Sequence, residues 1–420
     1  MDRSRAPDAY SLNDAELISD PYGAYGRIRE EAPVARGLLP DGTPVWIVTR
    51  HEDVSAVLTD RRFVNNSRSL PGSNVDARAE ALVRAGVTRE LAPYLAGNLV
   101  HTDPPDHTRL RKLVSRAFSA RRITALRPRV EAIADELLDA LPAHAEGAAV
   151  DLIEHFAYPL PITVICELLG VPAEDRPKWR DWSRDYMSMD VRRLDSMLDR
   201  MSAHVRELIG KRRVEPADDL LTGLVQAHDE DHGRLSDTEL ITMVLTLMIA
   251  GHETTAHLIG NGVAALLTHP DQLALLREDP TLMPGAVQEL LRWCSPVVTA
   301  MLRYATEDVT IAGTLVRQGD GVQVVLASAS HDARRFADPQ RLDLTRDAEA
   351  AAPQHLAYSR GAHYCLGAGL ANQEAEVAFA AILARYPDLA LAVPADRLEW
   401  KPVPSTRQLA RLPVVLKGAG

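Results

Sequence analysis

Apolar residues recur at every third or fourth position along most of the chain, which is a helical period. From Asp103 to Arg122 the positions Leu110, Leu113, Val114 and Ala117 keep that spacing behind Asp-Pro-Pro-Asp, an acidic N-cap with prolines tolerated in the first turn. Ser236-Asp-Thr-Glu239 reads as a capping box. It opens a run to about Thr268 that is apolar on nearly all faces. A helix of that length spans about 48 Å at 1.5 Å per residue, and its all-round apolar character predicts burial. Gly251, Gly260 and Gly262 inside it each cost roughly 1 kcal/mol relative to alanine, so something must approach closely there or the helix must distort. Further helices are predicted at Leu126–Leu141, Leu194–Arg213, Asp271–Glu278, Pro284–Trp293 and Leu366–Arg385. Short strands are predicted at Val45–Thr49, Val309–Ala312 and Val322–Leu326, each flanked by turn residues. Arg68–Gly97 is weakly patterned and punctuated by Gly and Pro, which predicts a mobile segment. There is no alternating strand–helix series, which argues against a doubly wound sheet. The prediction is one mainly α domain with a small β region.

Composition narrows the class. The chain has 420 residues and a formal net charge of −11, and its aromatic content is 5%, so the core must rest on Leu, Val, Ala and Ile. A chain of this size buries a large core without disulfides or metal. The acidic balance disfavours a general nucleic-acid binder, which needs a basic surface. No apolar run approaches the roughly 18 residues of a membrane span, and the N-terminus has no apolar signal region. The expectation is a cytoplasmic protein. The three cysteines, Cys166, Cys294 and Cys365, are odd in number and far apart, so no disulfide framework is implied.

Two motifs are decoys. His252-Glu253-Thr254-Thr255-Ala256-His257 is not a zinc HExxH motif. Its histidines are five apart, about 140° around the helix at 3.6 residues per turn, rather than on one face. Gly367-Ala-Gly369 lacks the third glycine and the strand–turn–helix setting of a dinucleotide loop.

Cys166 and Cys294 lie in apolar helical contexts and read as buried small hydrophobes. Cys365 differs. It lies in Tyr358-Ser-Arg-Gly-Ala-His-Tyr-Cys365-Leu-Gly-Ala-Gly, bracketed by Gly361 and Gly367 and followed by a predicted helix. A helix start offers amide N–H groups and a positive dipole end that stabilise a thiolate, and Arg360 and His363 add positive potential. The segment suits an anionic sulfur close to something flat; the alternative is a structural cysteine in a glycine-rich turn.

This loop resembles the haem-binding loop of cytochrome P450s, Phe-x-x-Gly-x-[His/Arg]-x-Cys-x-Gly, through Gly361, His363, Cys365 and Gly367. Four further segments match that family in order: His107-Thr-Arg-Leu-Arg111, Ala250-Gly-His-Glu253-Thr254-Thr255, Glu289-Leu-Leu-Arg292 and Phe336-Ala-Asp-Pro-Gln-Arg341. The resemblance covers about Pro21 to Leu416 and is similar to actinobacterial members. It implies an N-terminal extension over 1–20 and a single P450 domain over 21–420, with a long central helix over a buried haem. It implies haem b with Cys365 as axial thiolate and metal ligand, O2 as cosubstrate, and His107, Arg111, Arg303 and His363 around the haem propionates. His107 and Arg111, at i and i+4, share a helix face, which supports a joint anion site; alone, such a pair more often marks a solvated face. The resemblance implies proton delivery by Thr254 and Glu253. It also implies a buried structural cluster of Glu289, Arg292 and Arg341. The substrate pocket is implied to draw on Arg68–Val100, the region from Trp182 to Met189, Ile249, Ala250, Val297, Val298, Gln408 and Leu409. Mostly apolar, these suit a lipophilic small molecule such as a polyketide or macrolide, hydroxylated or epoxidised. Met187, Met189, Met197 and Met201 read better as helix packing.

The chain has no flavin, nicotinamide or iron–sulfur motif, so electrons must come from outside. Arg109, Arg111, Lys112, Arg116, Arg121 and Arg122 form a basic cluster that can steer an acidic partner. The resemblance implies a ferredoxin, its reductase and NAD(P)H acting on a monomer. Tyr358-Ser359 replaces the usual Phe-Gly, and Gly369 and Asn372 replace the frequent Pro and Arg. The rival readings are a peroxide-using or coupling haem-thiolate enzyme and a non-catalytic P450-like docking module.

Overall fold

The computed structural model describes residues 9–115, 118–187, 190–229, 235–346 and 354–416. Backbone contacts cluster into two compact units. One comprises residues 1–64, 127–159 and 254–420; the other comprises 65–126 and 160–253.

The first unit holds the sheet. Six strands run in the order Tyr10–Ser11, Val34–Leu38, Pro44–Val48, Gly321–Val324, Arg303–Ala305 and Phe63–Val64. Val34–Leu38 and Pro44–Val48 form an antiparallel hairpin, and Pro44–Val48 pairs in parallel with Gly321–Val324, Val48 opposite Val324. Two of the predicted strands thus sit side by side at the sheet centre. Val322 and Val324 are fully buried, and the run turns into a helix at Leu326–Ser330 instead of continuing as strand. The third predicted strand, Val309–Ile311, makes a separate hairpin with Thr314–Val316. Residues 10–19, expected as an extension, contribute an edge strand paired with Val34–Leu38 and the Ala15–Ser19 helix, whose Leu17 joins a core cluster with Tyr25 and Ile47.

The second half of the long helix lies in this unit. Its glycines have the role that their cost required. A Cβ on Gly262 would lie 2.4 Å from the Phe379 ring, and one on Gly260 would lie 2.3 Å from Ile153. The missing side chains let the Ala368–Arg385 helix and the Ile153 turn press against the long helix.

The second unit is helical. The long helix spans Asp237–Thr268, and its first half belongs here. Its capping box is closed: the Glu239 amide donates to Ser236 Oγ at 3.1 Å and the Ser236 amide donates to Glu239 Oε2 at 2.7 Å. Met197 and Met201 are fully buried in Val191–Val214, as packing requires; the side chains of Met187 and Met189 lie outside the described residues. The single helix predicted over Asp103–Arg122 is corrected. The structure has helices at Asp106–Ser115 and Ala120–Ala140, the second absorbing the prediction at Leu126–Leu141 with Pro128 in its interior. Residues 116–117 lie outside the described residues. Within Arg68–Gly97 two short helices form, Ala77–Ala85 and Ala92–Ala96. The first is capped by Asp76, whose side chain accepts from the Arg78 and Ala79 amides.

Candidate functional site

The cysteine loop is built from backbone that few residues tolerate. Ser359 has φ +60° and Gly361 φ +73°. A Cβ on Gly361 would lie 2.7 Å from the Leu58 carbonyl oxygen, so glycine is required there on both counts. The chain then makes a single 3-10 turn, Gly361–His363, and the Cys365 amide donates to the Tyr358 carbonyl at 2.9 Å, closing the loop. Gly367 is the N-cap of the Ala368–Arg385 helix, which places Cys365 two residues before that cap, beside the positive helix end. Arg360 donates to Ser55 Oγ at 2.8 Å, a neutral acceptor that leaves its charge uncompensated by that bond.

Two departures from the family pattern meet each other. The Tyr358 hydroxyl donates to Asn372 Oδ1 at 2.7 Å, so the extra phenol oxygen and the amide that replaces the usual arginine satisfy one another.

The three cysteines separate by environment. Cys166 and Cys294 are buried, and burial pushes both thiols up to about 12; Cys294 Sγ donates to the Leu290 carbonyl. Cys365 is only partly buried, at the mouth of its loop.

His107 is buried on the Asp106–Ser115 helix, with half-buried Arg111 one turn on. Burial first, and then the Arg111 charge, hold the His107 pKa below its ordinary value, so the two do share a face. Arg303 is buried in its strand opposite Val322, and His363 is half-buried in the 3-10 turn.

On the long helix Ile249 is half-buried and Ala250 exposed between buried neighbours, while Glu253 is buried and Thr254 half-buried. A Cβ on Gly251 would lie 3.0 Å from Ile165. Sequence reasoning missed what faces Glu253. Ser183, on Arg176–Met187, lies 2.5 Å from His252 Nε2 and 3.4 Å from Glu253 Oε1. Nothing in the sequence around Ser183 marks it, because its meaning depends on a neighbour about seventy positions away.

Of the implied pocket residues, Val297 is partly exposed. Val298 packs into the core cluster with Tyr25 and Ile47, and Leu409 is fully buried in a bridge to Trp400.

The structural cluster needs one correction. Arg292 grips Glu289 with two hydrogen bonds, 2.7 and 2.8 Å, and also donates to the carbonyls of Ser330, Pro339 and Arg341. Arg341 supplies only that carbonyl. The second side chain on Glu289 is Arg346, at 3.1 Å from Oε1. The turn carrying Arg341 presents its backbone to Arg292 and leaves its side chain exposed, and the chain returns to the carboxylate five residues later.

The basic cluster is partly spent within its own unit. Arg109 pairs with Glu239 and Asp106, and Arg122 with Asp218. Lys112 and Arg121 are exposed, and Arg116 lies outside the described residues.

The comparisons decide the family. The family profile described as Cytochrome P450 matches residues 175–389. Cytochrome P450 107B1 of Saccharopolyspora erythraea is 44% identical over 99% of both chains. The chain belongs to the cytochrome P450 family. The P450 monooxygenase PikC of Streptomyces venezuelae is 44% identical, over 95% of this chain and 92% of its own. Among solved P450 structures, CxnD, which forms a C–S bond in chuangxinmycin biosynthesis, superposes with a TM-score of 0.87 at 35% identity over 99% of both chains. This P450 is therefore a haem-thiolate monooxygenase, an oxidoreductase that uses haem b, a cysteine thiolate and O2. It takes electrons from separate redox partners and binds lipophilic substrates. Among the described residues no helix is long and apolar enough to cross a membrane.

The residues present fit the haem. A soft sulfur sits half-open at the mouth of a loop closed by its own amide. A Cβ on Gly367, two residues on, would meet no other atom within 4 Å, so a flat group can approach that backbone.

Proposed function

We propose that this P450 inserts one oxygen atom from O2 into a polyketide- or macrolide-like natural product by hydroxylation or epoxidation. The observation that carries the reading is the cysteine loop: of the three sulfurs, Cys365 alone is half-open, at a helix start. Cys365 would supply the thiolate that holds the haem iron, and His107, Arg111, Arg303 and His363 would receive the propionates by charge and hydrogen bonding. Haem held by a thiolate supplies the cleavage of dioxygen.

The chain's own residues do the rest. Thr254 and Glu253 deliver the protons that the reaction consumes, Glu253 moving them from solvent and Thr254 presenting them at its hydroxyl. Ile249, Ala250, Val297, Val298 and Leu409 would supply apolar surface to the substrate. The substrate class is supported by relatives that include a 6-deoxyerythronolide B hydroxylase and a mycinamicin IV hydroxylase/epoxidase. A ferredoxin with its reductase supplies electrons from NAD(P)H, docking near Lys112 and Arg121. The chain acts in the cytoplasm as a monomer, with residues 21–420 as one catalytic module. The C–S bond formed by CxnD keeps oxidative coupling as the second reading.

Turnover of a macrolide panel with ferredoxin, reductase, NAD(P)H and ¹⁸O₂ tests the proposal. One labelled atom in the product is expected. A product without label contradicts it.

A further inference from the structure

Glu253 is not held by solvent alone. It faces a buried serine and a buried histidine: Ser183 is 1%, His252 0% and Glu253 6% exposed. His252 Nδ1 lies 2.6 Å from the Met248 carbonyl oxygen, which can only accept, so Nδ1 carries a proton. Nε2 can then give or take one. It faces Ser183 Oγ at 2.5 Å and Glu253 Oε1 at 3.3 Å, while Ser183 Oγ lies 3.4 Å from the same carboxylate oxygen. This is not the Ser–His–acid order of a hydrolase. There the acid sits at the ring nitrogen remote from the serine; here it sits on the serine side, and a carbonyl occupies the remote nitrogen.

The geometry points to a proton store behind Glu253, in which His252 holds a proton and Ser183 passes it to the carboxylate. The store has two states. In one, His252 is doubly protonated, Nε2–H donates to Ser183 Oγ and the Ser183 hydroxyl donates to the Glu253 carboxylate. In the other, the Nε2–H bond has broken, its proton has joined Ser183 Oγ, and the original hydroxyl proton has moved to Glu253 Oε1. One positive and one negative charge disappear together, which a buried site favours over separated charges. No electron moves, and no partner beyond the three side chains is needed. Burial raises the phenol pKa of Tyr186, one turn beyond Ser183 on the same helix; the Arg78 charge opposes that rise and the Glu253 charge adds to it. Ser183 and His252 are positioning residues: they act through Glu253.

This inference rests on the reading of Glu253 as the proton-delivering acid, and the test separates the two. Coupling of NADPH oxidation to product is measured in the reconstituted holoenzyme for Glu253→Gln, Ser183→Ala and Ser183→Thr. In parallel, ¹⁵N-histidine NMR of the diamagnetic ferrous carbonyl form reads the protonation of His252. The store predicts a severalfold loss of coupling in Ser183→Ala, restoration in Ser183→Thr, and an Nε2 resonance displaced in Ser183→Ala and returned to its native position in Ser183→Thr. If Glu253→Gln keeps full coupling, the proton-delivery reading falls. If Glu253→Gln uncouples but Ser183→Ala does not, the store is overturned and the reading stands. A loss in Ser183→Ala that threonine does not restore, or an unmoved Nε2 resonance, likewise overturns the store.

Discussion

At the scale of single residues, two side chains in the cysteine-loop region carry a cost. Ser359 occupies a left-handed conformation at φ +60°, where an L-residue loses roughly 1–2 kcal/mol. Ser359→Gly removes the Cβ conflict and gives back part of that gain in chain entropy. Urea unfolding of the holoenzyme should show a gain of about 1 kcal/mol. Glu374 is fully buried on the Ala368–Arg385 helix. Neither carboxyl oxygen has a protein hydrogen-bond partner among the described residues, and burial raises its pKa well above the ordinary carboxylate value. The folded state therefore keeps a proton that the unfolded chain releases above its ordinary pKa of 4.5. The contribution is fully present below that pH and is lost as pH rises toward the folded-state pKa, at up to about 1.4 kcal/mol per pH unit. Glu374→Gln, neutral at every pH, should flatten the decline in unfolding free energy as pH rises above about 5. An unchanged slope would show Glu374 ionised in the folded protein. The position of Tyr358 was legible in the sequence, but its partner was not: Asn372 lies fourteen residues on, and only the folded loop brings phenol and amide to 2.7 Å.

At the scale of elements, periodicity located the helices with a long buried stripe and clear ends, and left Pro21–Glu31, His51–Thr59, Pro159–Leu168, Arg176–Met187 and Leu220–Asp229 unpredicted. The long helix came through almost to the residue, Asp237–Thr268, because a capping box starts it and burial on all faces sustains it. The helix predicted over Asp103–Arg122 was read as one because apolar spacing continues across it, while the break near Ser119 has no Gly or Pro to announce it. The edge strands were invisible for a different reason: two residues, as in Tyr10–Ser11 and Phe63–Val64, are too few to show a period. The Glu289 cluster shows how far a motif carries. Glu-x-x-Arg identified the pair on Met283–Cys294, but the third arginine was assigned from the motif position and proved to be Arg346. Arg346 is mostly buried and ion-paired with Glu289, whereas the Arg341 side chain is exposed. Arg346→Ala should therefore destabilise by about 1.5–3 kcal/mol, the loss of one charged partner from a buried carboxylate that Arg292 still holds. Arg341→Ala should stay within about 0.5 kcal/mol. Thermal unfolding of the two variants side by side checks the assignment, and equal losses would refute it.

At the scale of the whole molecule, the class was legible because five separated segments each carry chemistry that the others make sense of. The sulfur at a helix start, His107 and Arg111 on one helix face, the acid and alcohol in an apolar helix, and Glu289 within pairing reach of Arg292 follow from residue type and spacing; the joint anion site and the burial of the Glu289–Arg292 pair came from the family resemblance. The contacts between distant segments were not legible. Ser183 behind Glu253, and Arg109 spent on Glu239 rather than left for a partner, are products of tertiary proximity that no local pattern encodes. The chemistry of the whole molecule turns on the identity of one sulfur. The carbon monoxide difference spectrum of the reduced protein, taken for the native chain and for the Cys365→Ser, Cys166→Ser and Cys294→Ser variants, tests it most directly. The account predicts the long-wavelength band of a thiolate-ligated carbonyl complex in the native chain and in the Cys166 and Cys294 variants, and its loss in Cys365→Ser alone. A shorter-wavelength, histidine-type band in the native chain, or a thiolate band that survives in Cys365→Ser, would contradict it.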